Sequence, residues 1–218
     1  MADLLARLTS AVIRVGDGRG FIVKDAGRIR LGWRGAEHIV ITAAHCLPSF
    51  PPCHAASDLE ERTYEALLGP LGQEPTVWAE CLFVDPIGDI AVLGPPDNQE
   101  LFDQWRAYVA SEAPLPITDA PRAGKWPDLE VHGKAQLLSL DGRWFSCRVS
   151  HSGGPFWIHD AADGIVGGMS GSPILAEDRS VIGVVSVSGG TGTEVHTEGG
   201  PNPRLAYHLP ARFLPRFR

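Results

Sequence analysis

No stretch of this 218-residue chain is apolar for long enough to span a bilayer. Its opening, MADLLARLTSAVIRVG, is broken by Asp3, Arg7 and Arg14. A secretory leader needs an uninterrupted apolar stretch, so none is expected here. Positive charge is also scarce: 19 Lys and Arg face 26 Asp and Glu, for a net charge of −7. Nucleic acid and anionic membranes are bound through basic faces that neutralise phosphate, so neither is an expected partner. Cysteine is sparse. Cys46, Cys53, Cys81 and Cys147 are too few to staple a scaffold of this size, and reduced thiols in a cytoplasmic protein are expected. No internal repeat is visible.

What the chain does have is core-forming material and punctuation. Hydrophobic residues make up 44%, and 25 glycines with 18 prolines favour many turns and short strands over long helices. ADLLARL reads as a short N-terminal helix. Strand-like runs follow: AVIRV, GFIVK, RIRLGW, HIVITA, TVWAECLFV and DIAVL. In NQELFDQWRAYVA, Leu101, Trp105, Tyr108 and Val109 recur at helical spacing. SEAPLPITDAPRAGKWPD is proline-rich and reads as a linker. Strands resume with LEVHGKAQLL, RWFSCRV, PFWIH, SPIL, SVIGVVSV and RLAYHL, and residues 189–203 read as a mobile glycine-rich loop. Two groups of about six short strands predict an all-β chain of two packed antiparallel barrels. The expected division is a helical segment at 1–10, a first barrel at 11–111, a linker at 112–128 and a second barrel at 129–218, with an inserted helix near 98–110.

Three stretches carry chemistry. In VITAAHCL an apolar strand delivers His45 to its end; in GDIAVL, Asp89 opens another strand; in VGGMSGSPIL, Ser170 stands among glycines. A hydroxyl is a weak nucleophile at neutral pH and needs an adjacent base. His45 is the candidate base, and Asp89 the group that fixes its tautomer and stabilises the imidazolium. Gly167, Gly168 and Gly171 permit a sharp turn. It would aim the N–H groups of Gly168 and Ser170 at one point, as an oxyanion requires. Asp85 competes with Asp89, and Ser152, in HSGGPFW, competes with Ser170.

TAAHC, DIAVL and GMSGSP, in that order, resemble the trypsin-like (chymotrypsin-fold) serine proteases, in particular a bacterial-type intracellular member. The intervals of 44 residues from His45 to Asp89 and 81 from Asp89 to Ser170 suit that family. GRGFIV resembles its opening strand and VIGVVSVSGG the strand that binds substrate backbone, so the likeness spans roughly residues 11–208. It implies two Greek-key barrels with the active site between them. It also favours Ser170 over Ser152: the family's serine follows a glycine two positions earlier, and Ser170 has Gly168 there where Ser152 has Ser150. HSGGP then reads as a hairpin turn. Ser186 would help hold the aspartate, as its counterpart does in the family.

Several positions depart from the family pattern. Met169 stands where the digestive enzymes carry an aspartate that pairs with a newly cut N-terminus, so that switch is not implied. Ser172 replaces a usual glycine, and the strand before Cys46 lacks the cysteine that would bridge to it. The base of the implied specificity pocket falls on Gly164, with Ile165 next; Val185, Val187 and Ser188 would form a wall beside Ser186. None of these is charged, and a basic side chain buried there would be uncompensated. The expectation is cleavage after small or medium apolar residues, with modest selectivity.

The resulting expectation is a serine endopeptidase acting on protein or peptide, with no metal or organic cofactor, and gated by a regulatory protein partner. A catalytically silent, peptide-binding module on the same scaffold is the alternative. HCLPSFPPCH also gathers His45, Cys46, Cys53 and His54, zinc-type ligands at a spacing unlike the common paired motifs. The remaining histidines, among them His151 and His196, read as surface or loop residues.

Overall fold

In the computed structural model the described residues are 2–24, 38–52, 60–118, 131–151, 154–186 and 196–214. Six strands build the first half: β1 (Val12–Val15), β2 (Gly18–Lys24), β3 (His38–Thr42), β4 (Thr63–Gly69), β5 (Val77–Asp85) and β6 (Ile90–Gly94). They close into an antiparallel barrel in the order β1-β2-β3-β6-β5-β4. β1 turns into β2 through the two-residue loop Gly16–Asp17, with Gly16 at φ +54°. The nearly continuous apolar runs of β3 and β6 reflect burial on both faces; Ile90–Gly94 is buried throughout.

The second half holds β7 (Val131–Leu138), β8 (Trp144–His151), β9 (Phe156–His159), β10 (Pro173–Ala176), β11 (Val181–Val184) and β12 (Gly199–Asn202), ordered β11-β10-β7-β8-β9-β12. Counted within its own half, each strand has the neighbours of its counterpart in the first barrel. The exception is the closing pair: β11 and β12 are not laddered directly. The Val184 N–H instead donates to Pro203 O at 3.0 Å, and Gly183 bridges Arg204, so the sheet curls onto the segment that leaves β12. In both halves a strand returns beside an earlier one in Greek-key fashion (β3 beside β6, β9 beside β12). This is the two-barrel, chymotrypsin-like architecture, with few and short helices.

The helices are α1 (Ala2–Ser10), α2 (Gln99–Ala110) and α3 (Leu205–His208). α2 is capped by the Asn98 side chain, which accepts from the N–H groups of Glu100 and Leu101, and it buries Trp105 and Val109 in the first core. The segment after it is not a free tether. Leu115 N–H donates to Ile22 O on β2 at 2.9 Å, and Val181 N–H on β11 donates to Pro116 O at 2.7 Å, so residues 115–117 touch both halves. The first core runs through the junction: Leu205, Leu209 and Phe213 pack with it, and the Phe83 and Phe213 rings lie 5.9 Å apart.

Three readings of the sequence change. RLAYHL is not a strand: Leu205–His208 is the helix α3, with Leu205 and Leu209 buried one turn apart. The expected mobile loop 189–203 contains β12, which pairs Gly199 with Ile158 and Asn202 with Phe156. β4 was not expected at all. The RIRLGW run lies outside the described residues.

Candidate active site

β3 ends at Thr42, and a 3-10 turn over Ala44–Cys46 follows. Ala44 and Cys46 are buried, which turns His45 outward with 47% of its side chain exposed. β3 and β6 pair Thr42 with Ala91, so the turn residue just before β6 falls beside the end of β3. That residue is Asp89, at φ +51°, a left-handed conformation that Asp tolerates better than most residues. Its carboxylate grips His45 twice: Oδ1 accepts the His45 main-chain N–H at 3.0 Å, and Oδ2 lies 2.7 Å from Nδ1. Asp85 does something else. Its Oδ1 accepts the N–H groups of Ile87 and Gly88 at 3.0 and 2.9 Å, building the turn that leads into Asp89.

Ser170 comes from the second half. Gly171, at φ +83°, lies so close to β2 that a Cβ there would overlap the Arg19 carbonyl oxygen. Arg19 N–H donates to Ser170 O at 2.7 Å, and Gly171 N–H donates to Val185 O at 2.7 Å. The Ser170 hydroxyl makes a long contact with Ser186 O at 3.5 Å. Ser186 Oγ donates to Asp89 Oδ2, and Ser186 N–H donates to Asn202 Oδ1 at 2.8 Å. Asp89 thus joins His45 of the first barrel to Ser186 of the second, and Ser186 meets Ser170. Among the described residues no hydrogen bond runs from Ser170 Oγ to the His45 ring.

The loop before Ser170 is a turn in which Met169 N–H donates to Val166 O at 3.2 Å and Gly168 sits at φ +86°. Met169 is fully buried in the second core with Ile165 and Val185, and its Sδ accepts the Val166 N–H at 3.5 Å. Where an aspartate would anchor by charge, this loop is anchored by apolar burial. Gly167 and Gly168 remain exposed. Of the residues expected to line a specificity pocket, Gly164 N–H donates to its neighbour Asp163 and Ile165 is buried. Val187, Ser188, Ser152, Cys53 and His54 lie outside the described residues. Among those described, no three metal-ligating side chains gather. His151 is not a surface residue: it is 2% exposed, edge-on to Phe156, with Nδ1 2.9 Å from Arg204 Nη1.

The electrostatics follow from these contacts. The hydrogen bond to Asp89 raises the His45 pKa above its ordinary 6.5, against burial that lowers it. Burial pushes Asp89 up, but hydrogen bonds from His45 and Ser186 more than offset it, and its pKa ends below the usual 3.8. Cys46, beside His45, is pushed up to about 11 chiefly by burial, so its thiol stays protonated and inert.

Arg19, Thr42 and Asn202 escaped the sequence reading. Thr42 Oγ1 donates to Arg19 O at 2.6 Å, and Asn202 holds Ser186. Thr42 lies inside TAAHC and Arg19 inside GRGFIV, yet their partners are main-chain groups that sequence does not reveal. Asn202 sits in GGPNP with no signal beyond its residue type.

No family model matches the chain. No curated protein matches it either. Among solved structures it is similar to the Rv3671c protease in an inactive form, at 18% identity over 85% of this chain and 82% of that one, with a TM-score of 0.47.

Proposed function

We propose that this chain is a serine endopeptidase working through an acyl-enzyme. In this reading His45 takes the Ser170 proton, Ser170 Oγ attacks the peptide carbonyl carbon, and the N–H groups of Gly168 and Ser170 hold the oxyanion. His45 then protonates the leaving amine, and water repeats the cycle on the ester. Asp89 keeps Nδ1 protonated, leaving Nε2 as the base. The observation that carries the reading is the Asp89 carboxylate, which takes His45 Nδ1 and Ser186 Oγ on one oxygen while the Ser186 carbonyl meets the Ser170 hydroxyl. For attack, Ser170 Oγ leaves the Ser186 carbonyl and turns to His45; catalytic hydrogen bonds are often long before substrate arrives. The uncharged Gly164 and Ile165 support cleavage after small or medium apolar residues.

The test is labelling with a fluorophosphonate, followed by peptide mapping. Wild type and Ser152→Ala should react at Ser170, and Ser170→Ala should not. A wild-type chain that stays unlabelled would leave the silent peptide-binding module, which the long Ser170–Ser186 contact favours. Partner gating belongs to the same proposal. It predicts weak turnover by the isolated chain that rises sharply with the cognate partner; high turnover in isolation refutes it.

A further inference from the structure

We propose that Arg19 is a positioning residue, which pins the nucleophile and the hairpin beside its oxyanion turn to the first barrel; this rests on the protease reading above. Arg19 lies on β2 and is 5% exposed. A buried guanidinium is costly unless its donors are satisfied, and the usual partner is a carboxylate. Here Nη1 donates instead to two main-chain carbonyls of the second barrel, Leu138 O at 2.9 Å and Ser139 O at 3.1 Å. These oxygens stand where β7 ends and its hairpin to β8 begins.

That hairpin reaches the oxyanion turn. Its tip is braced by Ser139 N–H on Arg143 O at 2.9 Å and by Arg143, which meets Asp141 at 2.6 Å and Asp163 at 3.3 Å. Leu140, at the tip, is half exposed although it is apolar, and its Cδ2 lies 3.5 Å from where a Cβ on Gly168 would stand. Leu140 therefore stands beside the exposed glycine whose N–H is assigned to the oxyanion. On the other side of the turn, the Arg19 main-chain N–H holds Ser170 O at 2.7 Å, and Thr42 Oγ1 braces the Arg19 carbonyl. One residue of the barrel that carries His45 and Asp89 thus holds Ser170 directly through its main chain and, through its side chain, the hairpin whose Leu140 stands beside Gly168. The reaction needs groups from two barrels held in register, where an error of about 1 Å costs on the order of 10²-fold in rate. Both bonds leave the one nitrogen Nη1, whose two N–H groups reach the adjacent carbonyls, and the planar guanidinium holds that nitrogen in a fixed orientation that a freely rotating ammonium lacks.

Arg19→Met keeps the apolar stem and the main-chain bond to Ser170 but removes the donors. Two measurements on the full chain decide the matter. Hydrogen exchange should quicken by roughly 10-fold at 138–143 and 166–171 while β3 and β6 stay protected. Fluorophosphonate labelling should slow by about 10- to 100-fold with its pH midpoint unchanged, because the His45–Asp89 pair lies within the first barrel. On a peptide substrate the loss should fall on kcat rather than KM, and Arg19→Lys should recover part of it. A folded Arg19→Met that labels like wild type overturns the proposal, whether or not its exchange quickens. If Arg19→Met does not fold, Leu140→Gly, at an exposed tip, replaces it: slower labelling supports the positioning role and an unchanged rate overturns it. Should wild type itself fail to label, the protease reading falls, and exchange alone judges the anchor: faster at 138–143 and 166–171 upholds it, unchanged refutes it.

Discussion

At the scale of single residues, the site turns on one carboxylate oxygen. Asp89 Oδ2 receives both His45 Nδ1 and Ser186 Oγ, and this shared acceptor couples the two barrels through a group whose main chain is held at φ +51°. Strained conformations of this kind persist where the surroundings over-determine them. The pairing fixes the sign of the pH dependence. His45 has a folded pKa raised above 6.5, so its contribution to stability is complete below 6.5 and is lost as pH rises through the folded value. Asp89 has a folded pKa below 3.8, so its contribution is present above 3.8 and is lost as pH falls through that lowered value. The pair therefore stabilises most fully between these limits. The proposed mechanism asks for the opposite state of the ring, a neutral imidazole, so on that reading turnover should rise with pH through a midpoint above 6.5. Asp89→Asn should drop that midpoint towards 6.5 and cut turnover by about 10⁴-fold, as losing the correct tautomer does. A pH–rate profile of both proteins checks this. A wild-type midpoint at or below 6.5 would contradict the Asp89–His45 pairing as the working couple.

Among the elements, α2 shows how an insertion is tied down. Trp105 is 1% exposed in the first core, and the Gln104 side chain accepts from Trp78 N–H at 3.3 Å and donates to Thr76 O at 3.2 Å, docking the helix at the start of β5. Trp105→Ala should cost about 3–5 kcal/mol, and Asn98→Ala, which removes the cap, about 1 kcal/mol. Trp105→Phe should cost less than Trp105→Ala, because among the described residues the indole N–H has no hydrogen-bond partner to lose. Thermal unfolding of the three variants tests the ordering. α2 was legible because its apolar residues repeat at one period. β4 was not: Ala66 at φ +46° and a register shift between Tyr64 and Leu68 break the alternation, so its buried positions follow no single period. β12, Gly199–Asn202, pairs through its backbone and offers no apolar side chain to read. α3 misled because Leu205 and Leu209 suit a short strand as well as one helical turn. The site divides the same way. The order and spacing of His45, Asp89 and Ser170 are visible in the residues themselves. Arg19, Thr42 and Asn202 work on main-chain groups brought near only by the fold.

For the whole molecule, the decisive quantity is how closely the two barrels approach beneath Ser170. One close point is Gly171, whose missing side chain lets the second barrel rest on the Arg19 carbonyl of β2. Two effects would oppose a side chain there. The first is the backbone at φ +83°, which costs a residue other than glycine about 1–2 kcal/mol. The second is overlap with a main-chain oxygen that cannot swing away, because Arg19 O is also fixed by Thr42 Oγ1. Gly72 separates the two. It has a similar φ of +76°, but a Cβ there meets nothing within 4 Å. Gly72→Ala should therefore show the backbone cost alone, about 2–8 °C in Tm for a chain of this size, with labelling at Ser170 unchanged. Gly171→Ala should lose clearly more stability and, in whatever fraction still folds, label at least about 10²-fold more slowly, because the overlap displaces Ser170 from the barrel that carries His45. Thermal unfolding and labelling of the two variants side by side measure the difference. If they behaved alike, the contact under Ser170 would set neither the seating of the barrels nor the placement of the nucleophile.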